Sequence, residues 1–162
     1  MKRSTIGVAL LVVLSTLGVA RRAAAVTGGA PLEDATADGV VLIYDGSGQC
    51  SGALIAPTVV LTAAHCLTNP TVGDYVVRGG LTPFQDALFT ISASEIHRHP
   101  SFNQSDSSHD VGVLILASAA PATPLPWLRT DEGYYTLGTQ VGMVGYGVTG
   151  SSASDDGTRR SG

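Results

Sequence analysis

An all-β fold is expected from three features of the sequence. Short apolar segments recur between clusters of Gly, Pro, Ser, Asn and Asp; no stretch sustains apolar recurrence at helical spacing; and several segments are continuous apolar runs. Candidate strands are 40–44, 52–55, 59–62, 75–78, 88–93, 95–97, 111–116 and 141–146. A continuous run rather than an alternating one is expected where both faces of a strand are covered, as in a small closed barrel. A two-sheet sandwich predicts the same periodicity, and the pattern leaves both open. No internal repeat is present.

Residues 1–25 are set apart from this folded part. Lys2 and Arg3 precede an uncharged, mostly apolar run over 6–20, followed by Ala23-Ala24-Ala25, the layout of a secretory signal with cleavage after Ala25. The run is shorter than the roughly 20 apolar residues that cross a bilayer, so a stable membrane anchor is not expected and the mature chain is expected to be secreted and extracellular. Arg21-Arg22 keeps open a short pro-segment as a second reading.

Cleavage there removes Lys2, Arg3, Arg21 and Arg22 and no acidic residue, leaving five arginines and no lysine against thirteen acidic side chains. Such a field repels a polyanion, and no basic cluster interleaves with aromatics, which argues against nucleic-acid binding. Cys50 and Cys66 form an even pair in an exported chain and are read as a disulfide, with two reduced core thiols as the alternative. Closing a loop of this length restricts the unfolded chain by about 3 kcal/mol in the entropy model.

The Pro- and Ala-rich stretch 119–126 reads as a surface connection between two packing units. The tail 149–162, rich in Ser, Gly, Asp and Arg without apolar partners, reads as disordered or as an interrupted loop.

The strongest local signal is Leu61-Thr62-Ala63-Ala64-His65-Cys66, a β segment ending in small residues, a histidine and the second cysteine, with Cys50-Ser51-Gly52-Ala53-Leu54-Ile55 upstream. The second is His109-Asp110-Val111-Gly112-Val113-Leu114-Ile115-Leu116, an aspartate at the mouth of an apolar strand. Together these resemble the histidine and aspartate motifs of the trypsin and chymotrypsin serine proteases. Two shorter matches agree in order: Val26-Thr27-Gly28-Gly29 is similar to that family's mature N-terminus, with Thr27 replacing the usual apolar residue, and Gly145-Tyr146-Gly147 is similar to its Gly-Trp-Gly strand.

The resemblance implies a trypsin-like double β-barrel with the active site between the barrels. It assigns residues 1–25 to the signal, 26–118 to a complete first barrel, and 119–162 to the linker and the start of a second. It also implies that Cys50 and Cys66 pair, that His65 is the general base and acid, that Asp110 orients it through Nδ1, and that Val26 is the mature N-terminus. The family's nucleophile motif, Gly-Asp-Ser-Gly-Gly, does not occur in the sequence. Asp45-Gly46-Ser47-Gly48 has the motif's letters in another order, precedes the histidine motif and reads as a hairpin turn, and Ser51 follows a cysteine tied into the core.

His97 and His99, at alternate positions, share one face of a strand, but no carboxylate or cysteine set completes a tetrahedral site, so no metal is expected. They read as an exposed polar stretch ended by Pro100. No cofactor is implied.

Two functions follow as expectations. One is a serine-type endopeptidase acting on protein or peptide substrates through an acyl-enzyme, of which this sequence is a fragment inactive alone. The other is a non-catalytic protease-like module that binds a partner. In either case an apolar barrel face left uncovered favours association.

Overall fold

A computed structural model describes residues 29–32, 37–127, 137–147 and 157–162. The signal segment 1–25 and Val26 lie outside the described residues. Among the described residues there are nine strands: β1 (Ala30–Pro31), β2 (Val40–Tyr44), β3 (Gln49–Ala56), β4 (Val59–Thr62), β5 (Val76–Gly79), β6 (Phe89–Arg98), β7 (Gly112–Leu116), β8 (Val144–Gly145) and β9 (Arg160–Ser161). Six close into a barrel in the order β2-β3-β4-β7-β6-β5, every pair antiparallel. The other three form a small sheet, β1-β9-β8. The all-β class and the closed barrel expected from the sequence are therefore present, and the sandwich is excluded. No helix among the described residues is long and apolar enough to cross a membrane.

The barrel explains the continuous apolar runs. In β2, Val41 and Ile43 point into the barrel with Leu54, Val60, Tyr75, Val77, Leu114 and Leu116. Val40 and Leu42, on the opposite face, pack against Tyr146, Leu125 and Val144. Period-2 alternation persists, but both faces are apolar because each has a cover.

Several boundaries differ from those expected. The candidate strands 88–93 and 95–97 are one strand, β6, carried through a register shift between Ala93 and Glu95. An extra residue accommodated as a bulge interrupts periodicity without ending pairing. The candidate strand 141–146 is reduced to Val144–Gly145, and Val141 and Met143 are exposed.

The tail requires a larger correction. Residues 157–162, expected as disorder or loop, are ordered: Arg160–Ser161 is the central strand of the small sheet, and Arg159 and Arg160 are buried. The Arg159 guanidinium donates to the carbonyls of Leu32 at 3.1 Å and Ala37 at 3.3 Å and to the Asp38 carboxylate at 3.0 Å. Its charge is thus paired and its Nε and Nη1 donors are used, which offsets the cost of burying it.

Tyr146 links this sheet to the barrel. Its backbone N–H donates to Ser51 Oγ at 2.9 Å, and its hydroxyl lies 3.1 Å from the Val40 carbonyl and 2.7 Å from that of Gly80. Burial pushes the phenol up to about 12, so at neutral pH it remains a donor. Tyr146→Phe keeps the ring and leaves those carbonyls short of a partner; the expected loss is about 1–3 kcal/mol, read as a lower midpoint in urea unfolding. An unchanged midpoint would show that the hydroxyl contributes nothing to the junction.

Candidate active site

Strand pairing brings together residues far apart in sequence. In the β4–β7 ladder Thr62 lies opposite Gly112, so the chain leaving β4 and the chain entering β7 emerge at the same barrel edge. Three residues past Thr62 comes His65, in a 3₁₀ turn spanning Ala64–Leu67. Two residues ahead of Gly112 is Asp110. A single register thus converts a separation of 45 residues into contact, with His65 Nδ1 lying 2.6 Å from Asp110 Oδ2.

Asp110 makes a second bond to the same residue: its Oδ1 accepts the backbone N–H of His65 at 2.8 Å. The turn has no side-chain cap of its own, since Ala63 precedes it. Asp110 supplies that cap from across the barrel edge, satisfying a donor that the short turn leaves open. The His65 side chain and backbone bonds hold the Asp110 carboxyl below the ordinary carboxylate range. Ionised, Asp110 accepts from Nδ1–H, which leaves Nε2 of an imidazole that is 58% exposed as the ring nitrogen able to take a proton.

A covalent tie fixes the turn from the other side. Cys50, near the start of β3, and Cys66, beside His65, form a disulfide with their Cα atoms 6.0 Å apart. Together with His65, Ile43, Asp45, Gly48 and Gln49 they line a cleft of about 120 Å³. Cys50, His65 and Cys66 come close enough to resemble a metal-ligand group, but both sulfurs are engaged in the disulfide, which removes the thiolates a metal needs.

Gly112 was not singled out from the sequence. A Cβ built there falls 2.7 Å from Leu67 Cδ1 and 3.1 Å from the His97 carbonyl. The missing side chain is what lets the histidine turn lie against β7, and the only trace in the sequence is a glycine two residues past the aspartate.

The other candidate positions are placed elsewhere. Asp45 to Gly48 join β2 to β3, with Gly46 at φ 90° and the Asp45 carboxylate accepting the N–H groups of Ser47 and Gly48. Ser51 Oγ accepts from Tyr146. His97 bonds Glu95 at 2.8 Å, whereas His99 stacks on His109 with ring centroids 4.8 Å apart. The alternate histidines therefore have different partners. Val26 lies outside the described residues.

Because folding lowers the Asp110 carboxyl, the stabilisation it provides is complete above the unfolded carboxylate value and is lost as pH falls through the folded one. A carboxyl ¹³C titration should place the Asp110 midpoint below that of an exposed aspartate, and Asp110→Asn should abolish that share of the acid dependence. A midpoint at the ordinary value would contradict the double hydrogen bond. Gly112→Ala should cost about 1–3 kcal/mol and weaken the His65 Nδ1 proton resonance, since the turn must move outward; retention of both would show that the close approach is not required.

A family model described as Trypsin matches residues 26–160. Among curated proteins, a trypsin of Saccharopolyspora erythraea is 31% identical over 106 residues, spanning 65% of this chain and 47% of that protein. Glucanase inhibitor protein 3 of Phytophthora infestans is 30% identical over 134 residues, spanning 77% and 50%. The chain thus spans about half the length of these relatives. The structure of the Vibrio cholerae VesB protease superposes with a TM-score of 0.70 over 83% of this chain and 43% of its own, at 20% identity, a likeness of fold. The match over 26–160, carried on a closed six-stranded barrel, places the chain in the trypsin family.

Proposed function

We propose that this chain supplies the histidine–aspartate half of a serine endopeptidase active site, and that the sequence as given does not hydrolyse peptides by itself. The observation that carries the reading is the 2.6 Å contact between His65 Nδ1 and Asp110 Oδ2, beside a second bond that fixes the carboxylate's orientation. In this reading His65 Nε2 takes the proton of an attacking serine hydroxyl and returns it to the leaving amine. Asp110 holds the tautomer with hydrogen on Nδ1 and stabilises the imidazolium that forms. The family's nucleophile motif, Gly-Asp-Ser-Gly-Gly, does not occur in the given sequence. The same reading assigns residues 26–118 to the first barrel, whose strands lie between positions 40 and 116, and 119–162 to the linker and the opening of a second. Export of the mature chain from Val26, through the signal layout of residues 1–25, belongs to the same reading.

A second reading is favoured by one finding. Two relatives at 30% and 31% identity carry the name glucanase inhibitor protein rather than protease. In that reading the same fold serves as a module that binds a protein partner, and the exposed Leu137, Val141 and Met143 belong to its contact surface.

Residues 26–162, offered ester and peptide substrates and a fluorophosphonate probe, should show neither turnover nor covalent labelling. Labelling would refute the proposed inactivity. Joined to the nucleophile-bearing second half of a bacterial trypsin, the chain should gain probe labelling, and Asp110→Asn should then lower kcat by about 10⁴-fold. Inhibition of an endoglucanase by the unextended chain, unaffected by His65→Ala, would support the binding module instead.

A further inference from the structure

The loop that delivers Asp110 carries a feature the proposed chemistry does not use. Only two asparagines occur in the sequence, Asn69 and Asn103, and each is followed two residues later by a hydroxyl residue: Asn69-Pro70-Thr71 and Asn103-Gln104-Ser105. Their local geometry is alike. Asn69 Oδ1 accepts the N–H of Thr71 at 2.9 Å, and Asn103 Oδ1 accepts that of Ser105 at 3.0 Å.

Chemistry separates them. The acceptor pattern for N-linked glycosylation is Asn-x-Ser/Thr with x other than proline, so Pro70 disqualifies the first site and Gln104 admits the second. Folding separates them further. The Asn69 amide is committed to the structure, donating to the Asp74 carboxylate at 3.0 Å and to the Asp45 carbonyl at 3.4 Å, while its backbone N–H donates to the Tyr75 hydroxyl. Asn103 is exposed, as are Gln104 and Ser105. Its side chain also bonds the neighbouring Asp106 carboxylate, and an amide bearing a sugar keeps one N–H for that bond.

We propose that Asn103 is an N-glycosylation acceptor, modified during export. In the transfer, Asn103 Nδ2 attacks the anomeric carbon of an oligosaccharide carried on a polyprenyl diphosphate. The N–C bond forms as the anomeric C–O bond breaks, the diphosphate leaves with the electron pair, and the amide gives one proton to a base of the transferring enzyme. The glycan sits in the connection between β6 and β7, in a turn closed by the bond from Asn103 N–H to the Ser108 carbonyl at 3.1 Å. That connection leads on to Asp110, seven residues past Asn103 along the chain. The inference rests on the reading of residues 1–25 as an export signal.

The test is expression of the full chain, residues 1–162, in a eukaryotic secretory host, with the intracellular and secreted pools analysed by gel and peptide mass spectrometry. One shift sensitive to peptide N-glycosidase is expected, lost completely in Asn103→Gln, kept in Ser105→Thr, and accompanied by deamidation of Asn103 on enzymatic release. Pro70→Ala creates a second acceptor pattern, met by the transferring enzyme during export before the Asn69 amide enters its folded contacts, and should add a second shift. A shifted Pro70→Ala chain that still shows one shift after Asn103→Gln, beside an unshifted parent, overturns the proposal while leaving export intact. A chain that retains residues 1–25 and shows no shift in any variant overturns the export reading, and the acceptor site with it.

Discussion

Two oxygen atoms of one carboxylate bind two groups of one residue, and the rest of the site depends on that. Asp110 caps the 3₁₀ turn through Oδ1 and meets the imidazole of the same turn through Oδ2. A single hydrogen bond would leave the ring free to rotate about the contact. Two bonds to points on either side of the His65 Cα remove that freedom, and a positioned base depends on such fixed geometry. The carboxylate is in turn aimed by the β4–β7 ladder, which ends at Thr62 and Gly112. Backbone pairing, a turn cap and side-chain orientation form one mechanical unit.

The supports of that unit come from different kinds of interaction. The disulfide ties the turn to β3 and acts largely by restricting the unfolded chain. Leu67, fully buried in the barrel core, anchors the end of the turn by apolar packing. Thr62 Oγ1 donates to the Ser51 carbonyl at 3.0 Å, holding the end of β4 against β3. Each acts within a few residues of His65, yet only Cys66 adjoins it in sequence.

How much of this was legible beforehand follows from the range of each interaction. His65 and Asp110 could be singled out because each sits in a dense local motif with small residues on one side and an apolar strand on the other. Strands β2 and β4 were expected with their observed bounds, since both are apolar runs between turn residues. β1 and β9 were not foreseen: each has two residues, and their pairing joins positions 30–31 to 160–161, with no periodicity to announce it. The burial of Arg159 was hidden for the same reason, because an arginine amid Ser, Gly and Asp reads as solvated until its acceptors are known. The role of Gly112 depends on an approach between β7 and a turn that no local pattern encodes.

The Arg159 guanidinium reaches back across most of the chain to Leu32, Ala37 and Asp38, and β9 lies between β1 and β8. Ala30–Pro31 therefore has no partner strand until Arg160–Ser161 has arrived, whereas Arg160–Ser161 also pairs with Val144–Gly145. Pairing of Ala30–Pro31 must wait until position 161 has been synthesised, whereas the barrel, whose strands all fall between positions 40 and 116, can close as soon as those residues have left the ribosome. Removing residues 157–162 would accordingly unpair Ala30–Pro31 and leave the ladders of the barrel intact.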